Sequence, residues 1–134
     1  MLLTRRIDFS ASHRCWRPDW DEQHNREAFG PGSGFAGHGH NYRLEVTLQG
    51  PVDEDSGMLI DLKQLKNVLD AEVASRFDHR NLNEDTPYFR DRVPTAENFA
   101  RVIFELLDAA LPSGLLYRVR LSPTPDLSVE VTRC

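Results

Sequence analysis

His13, His38 and His40 carry the chemistry that this sequence makes most explicit. Gly37-His38-Gly39-His40 sets two imidazoles two positions apart, and alternate residues of an extended strand project from one face, so both rings can be turned toward one cation. Gly39 between them leaves the backbone unobstructed. His13 stands near the end of an earlier apolar–polar alternation. If the two segments pair, it adds a third nitrogen and leaves a fourth tetrahedral position for water or substrate, the pattern of a catalytic rather than a structural zinc. Read alone, such a pair also fits surface imidazoles or core histidines bonded to backbone. His24, in a polar stretch with no comparable partner, reads as a solvated side chain.

A second constellation is the dipeptide Asp78-His79. A carboxylate beside an imidazole can orient the ring and keep its pKa in the working range, as proton transfer requires. A solvated turn is the plain alternative. The two cysteines, Cys15 and Cys134, lie far apart with no CxxC spacing, so neither a disulfide scaffold nor an all-thiolate metal site is supported. Cys15 follows His13 by two residues. It would face the same side if the strand continues, or serve as a small buried apolar residue.

These groups need elements to hold them. Leu2 to Ala11 alternate as a strand with one exposed face, and His13 falls near its end. Arg14 to Gly37 show no sustained periodicity and read as a long surface connection, a kind of segment that is usually functional or mobile. His38 to Leu48 restore the alternation, with His38, His40, Tyr42, Leu44, Val46 and Leu48 on one parity. Asp61 then precedes Leu62, Leu65, Val68 and Leu69 at helical spacing, predicting a helix from Leu62 to Ala74. Thr95 stands as cap before Phe99, Val102, Ile103, Leu106 and Leu107, a second helix ended by Leu111-Pro112-Ser113-Gly114. Tyr117–Leu121 and Leu127–Thr132 close the chain as two short strands around a Pro-containing turn. The predicted fold class is α+β: a four-stranded antiparallel sheet with two helices inserted between strands 2 and 3, packed on one face.

Length and composition agree with this and exclude several functions. The 134 residues suit one domain spanning 1–134, and 40% hydrophobic with 28% charged residues is ordinary for a soluble globular protein. Sixteen Lys and Arg against 21 Asp and Glu give a formal charge of -5, which argues against a nucleic-acid-binding surface. No apolar run approaches the roughly 20 residues that cross a bilayer, and the N-terminus reaches polar residues too early for a signal peptide. A cytoplasmic protein with no membrane or nucleic-acid partner is expected.

Over nearly its whole length the chain resembles the 6-pyruvoyl-tetrahydropterin and 6-carboxytetrahydropterin synthase family. Phe9-Ser10-Ala11-Ser12-His13 is similar to the family's first zinc-ligand motif, and Gly37-His38-Gly39-His40-Asn41-Tyr42 to the motif carrying the other two ligands. Gly57-Met58-Leu59-Ile60-Asp61-Leu62, Asp78-His79-Arg80-Asn81-Leu82 and Pro94-Thr95-Ala96-Glu97-Asn98 resemble three further segments, in the family's order. The resemblance implies a tunnelling fold, in which copies join their sheets into a β-barrel, usually as a hexamer with active sites between subunits. It implies zinc on His13, His38 and His40, a pterin substrate such as dihydroneopterin triphosphate, and catalytic roles for Asp78 and His79.

Two departures stand out. Gly32 occupies the place of the cysteine that usually completes the family's proton-transfer set, and a glycine has no side chain to exchange a proton. Cys15, Ser33 and Glu27 are the residues near enough in sequence to be weighed as substitutes. Pro123 occupies the place of a glutamate that usually bonds the pterin ring. Asp126 lies close by, and Thr95 with Glu97, in the better-matched segment, are the substrate-binding candidates, with helix capping and a favourable first-turn charge as the structural alternatives. A homologue that kept zinc and the fold but binds without turnover is the competing expectation.

Overall fold

A computed structural model describes all 134 residues. β1 (Leu2–His13) and β2 (His38–Gln49) form an unbroken antiparallel ladder from Leu2 opposite Gln49 to His13 opposite His38. Strict alternation along both strands puts Phe9, Ala11 and His13 on the same face as Tyr42, His40 and His38. β3 (Arg80–Asn81) adds to β1 in parallel beside Ala11 and Ser12. β4 (Leu116–Thr124) pairs with β2, and β5 (Leu127–Thr132) pairs with β4 through a turn at Pro125 and Asp126. The order is β3-β1-β2-β4-β5. The four antiparallel strands are those expected. The fifth makes the sheet mixed, and at two residues it is too short to leave an alternation in the sequence.

Three helices accompany the sheet. α1 (Glu22–Phe29) lies inside the stretch expected to be irregular. α2 starts as an α-helix at Leu62–Leu69, widens to a π-helix over Asp70–Ala74 and ends with Ser75–Phe77, three residues past the expected boundary. α3 is Ala96–Ala110. Asp61 caps α2 by accepting the Lys63 N–H at 3.0 Å, and Thr95 caps α3 by accepting the Asn98 N–H at 3.2 Å. Leu65, Leu69, Val73 and Phe77 of α2 and Phe99, Val102, Ile103 and Leu107 of α3 are buried in one cluster with Leu44, Val46, Leu48, Val119 and Leu121 of the sheet.

Phe99 is the hub of that cluster. Its ring lies 5.9 Å from Phe9, 5.2 Å from Tyr42, 5.0 Å from Phe77 and 5.8 Å from Phe89, each time edge to face, contacts worth about 0.5–1.5 kcal/mol apiece beyond burial. The opposite face of the sheet is polar. There Asp8 pairs with Arg6 at 3.2 Å and Arg43 at 3.8 Å, and Arg120 sits between Glu45 at 3.7 Å and Glu130 at 3.9 Å. Pro123 lies within β4, buried, where the register shifts between Leu121 and Thr124. A proline fits there because the bulge asks for no ladder N–H.

Candidate metal centre

The β1/β2 ladder ends at the site. His13 and His38 are its last pair, and His40, opposite Ala11, lies one residue pair inward on the same face. The Nε2 atoms of His13 and His38 are 3.0 Å apart, and one nitrogen from each of the three rings falls within 4.8 Å of the others. Nitrogens around a tetrahedral zinc are about 3.3 Å apart at usual bond lengths, so the cluster already has the dimensions of a three-imidazole site. The rings grade from buried His13, 5% exposed, through half-buried His40 to exposed His38. The open side is therefore at His38.

His13 is held most firmly. Its Nδ1–H donates to the Pro94 carbonyl at 2.6 Å, which fixes the tautomer with Nε2 free toward the cluster. Burial pushes its pKa below the usual 6.5, against a smaller upward pull from that carbonyl; His40 is lowered as well, chiefly by burial. Both rings are thus biased toward the neutral form that binds metal. His40 also meets the edge of Tyr42 at 5.5 Å, joining the site to the aromatic core.

The Pro94 contact was not legible in the sequence, because the acceptor is a backbone carbonyl 81 residues away. It gives the segment from Pro94 to Asn98 a local logic. Pro94 orients His13, Thr95 caps α3, and the Asn98 side chain donates to the Val93 carbonyl at 2.9 Å, closing the turn. Glu97 is exposed in the first turn of α3, near enough to Cys15 to raise its thiol pKa after burial, the larger cause. Thr95 follows the Pro94 carbonyl that takes the His13 ring and is itself engaged as a cap.

Gly37, rather than Gly39, is the glycine this site requires. Gly37 has φ +70°, and a Cβ there would come within 2.7 Å of the His13 carbonyl oxygen. A Cβ on Gly39 would make only ordinary contacts. The approach of β2 to the end of β1 depends on that missing side chain.

Asp78 and His79 are not part of the three-ring cluster. His79 donates its backbone N–H to Ser10 O at 2.6 Å, and the Asp78 carboxylate accepts the Ser10 N–H at 2.9 Å and lies 2.9 Å from His79 Nδ1. His79 adopts φ +59°, and its side chain is 82% exposed. Beside it a cleft of about 500 Å³ is lined by Ser10, Ser12, Asn41 and Asp85 and also by His40 of the triad. No hydrogen bond or ring contact joins His79 to the three clustered histidines.

The stretch from Arg14 to Gly37 is ordered by Asn25, which is fully buried. Its side chain accepts the Arg17 N–H at 2.7 Å and donates to the carbonyls of Arg17, Trp20 and Asp21. His24, expected to be merely solvated, is exposed but stacks on Trp20 at 3.8 Å. Gly32 sits in the turn Gly30–Ser33 against Cys15. Ser33 is buried, its hydroxyl donating to Gly30 O, and Glu27 is exposed on α1, accepting from Gln23. Asp126 accepts the Thr124 hydroxyl at 2.7 Å in the β4–β5 turn, which holds its carboxylate below the ordinary range.

Comparison with known proteins agrees with this geometry. The family model described as 6-pyruvoyl tetrahydropterin synthase matches residues 2–134. The 6-pyruvoyl tetrahydrobiopterin synthase of Pongo abelii is 43% identical over 124 residues, 92% of this chain and 86% of the relative. The dihydroneopterin monophosphate aldolase of Pyrococcus furiosus is 32% identical over 127 residues, 94% of this chain and 92% of the relative. The structure of Caenorhabditis elegans 6-pyruvoyl tetrahydropterin synthase superposes with a TM-score of 0.95 at 36% identity, covering 100% of this chain and 96% of the other. The chain belongs to the 6-pyruvoyl tetrahydropterin synthase family.

Proposed function

We propose that this protein is a zinc-dependent pterin lyase that acts on dihydroneopterin triphosphate or a close pterin, moving protons along the side chain and releasing triphosphate. The convergence of His13, His38 and His40 at the end of one ladder supports this most directly. Bound there, zinc would polarise side-chain oxygens of the substrate and acidify the adjacent C–H bonds. His13, fixed through Pro94, and His40, packed on Tyr42, hold the site's shape, while exposed His38 borders the side from which substrate enters.

Asp78 orients His79 as the proton-transfer pair, with Thr95 and Glu97 as substrate contacts at the start of α3. His79 is exposed and serves the triad of a neighbouring copy in a hexamer assembled in the cytoplasm. The outer edge of β5, which pairs only with β4, is the edge such an assembly would extend. No helix is long and apolar enough to cross a membrane.

A second reading, side-chain cleavage in the manner of an aldolase, is favoured by the similarity to the Pyrococcus furiosus protein and by Gly32, which offers no proton-transfer group. Zinc-loaded protein incubated with dihydroneopterin triphosphate, with products resolved by mass, separates the two. Triphosphate with a pyruvoyl product supports the first, and a released aldehyde supports the second. No turnover of any dihydroneopterin phosphate would leave only the binding homologue and would sink both.

A further inference from the structure

His13 is aimed by a carbonyl, and that carbonyl is aimed in turn by a side chain the scheme above does not use. Val93 O accepts the Thr95 N–H at 2.8 Å across Pro94, a three-residue turn that suits a proline at its centre because the ring already holds φ near the required value. Asn98 Nδ2 donates to the same oxygen at 2.9 Å, reaching back across the start of α3. With two donors holding the Val93 carbonyl, the next one, Pro94 O, is set facing β1 and takes the His13 Nδ1–H at 2.6 Å. The register of α3 is fixed one residue further on, where Phe99 packs edge to face against four rings. His40 refers to the same ring through Tyr42, while exposed His38 has neither anchor.

We propose that Asn98 is a positioning residue of the metal centre: its amide donor locks the turn that fixes the His13 ring, and so sets the affinity for zinc from outside the ligand set. This rests on the zinc reading above. The residue type is informative, because the third position of a helix often carries a side chain that accepts, reaching back to the free N–H of the cap. Here that N–H is already given to Val93 O, and the group left to hold is an oxygen. An acid at 98 would suit the positive end of α3, yet it would face the Val93 carbonyl with no proton to give. Asparagine answers to the turn rather than to the helix.

Asn98→Asp separates the two roles, since it keeps the size of the side chain, favours the helix and removes the donor. Zinc affinity of the full chain is measured by competition with a chromophoric chelator for the parent, Asn98→Asp, Asn98→Ala and Arg101→Gly, the last loosening α3 at an exposed position outside the turn. Both Asn98 variants are expected to bind zinc about 10–100-fold more weakly, with Arg101→Gly within about threefold of the parent. Metal-free protein carrying isotope-labelled histidine gives a second readout by magnetic resonance. The His13 ring N–H, assigned by its absence in His13→Gln, is expected to exchange slowly with solvent in the parent and rapidly in both Asn98 variants.

Zinc binding by Asn98→Asp within about threefold of the parent, or an unchanged His13 ring proton, overturns the positioning role alone. Equal weakening in Arg101→Gly overturns it too, by tracing the loss to the helix instead of the turn. A parent that binds no zinc overturns the metal reading, and the affinity claim with it.

Discussion

Two imidazole sites in this chain are held in opposite ways. His13 is 5% exposed, anchored through Nδ1 and locked at the end of a regular ladder, with His38 and His40 set by the same register. His79 is 82% exposed in a left-handed backbone conformation, oriented by one neighbouring carboxylate. A group that must hold a cation gains from rigidity, because fixed rings lose little freedom on binding. A group that must deliver a proton to a ligand, or complete the site of another copy, has to be reachable. Burial and anchoring thus divide holding from moving.

Removing a ring from the rigid site should have the largest effect. His38→Ala is expected to weaken metal binding by well over the ~100-fold that losing an outer-shell partner can cost, measured as metal per chain after dialysis. Full retention of metal would show that the triad is not the site. Next, His79→Ala should keep its metal and lose about 10²–10⁴-fold in kcat. Loss of metal in that variant would erase the division between the sites. Mixing His38→Ala and His79→Ala proteins through unfolding and joint refolding should recover activity if one copy's His79 serves another's triad, and recover none if each copy works alone.

A smaller effect concerns protons. His13 and His40 have folded-state pKa values below 6.5, chiefly through burial, so below that value the unfolded chain binds more protons than the folded one. The stability they contribute is present above pH 6.5 and is lost as pH falls through their folded values. The thermal midpoint of metal-free protein should fall from pH 8 toward pH 5, and more gently in His40→Gln. An unchanged slope in that variant would count against it. Smallest is Thr95→Ala, expected to cost about 1 kcal/mol as a lost cap, or about 4 °C in midpoint. Thr95→Ser should retain the cap. A raised KM in Thr95→Ala would add a substrate contact.

The rigid region was the legible one. Alternation from Leu2 and from His38 predicted both strands, and parity alone put His38 and His40 on the face of Tyr42 and Leu44. α2 and α3 announced themselves because their apolar stripes pack on the sheet. α1 did not, since Asn25 is its only buried residue and there is no apolar period to read. Its local signals were Asp21 as cap, accepting the His24 N–H at 2.7 Å, and the Glu22–Arg26 pair at 2.6 Å. β3 was hidden by its length, and the Pro94 anchor because a carbonyl leaves no mark on residue identity. The adjacency of Cys15 and Gly32 likewise comes from the turn that returns the chain to β1.

The terminal pairing of His13 with His38 has a mechanical consequence. The residues between them form a lobe whose two ends meet at that last rung. A cation seated there would act as a buckle, clasping the mouth of the lobe as well as serving chemistry. Loading the metal and setting the lobe that carries Cys15 and Gly32 would then be one event, and an emptied centre should be recognisable by faster proteolytic cutting between Arg14 and Gly37.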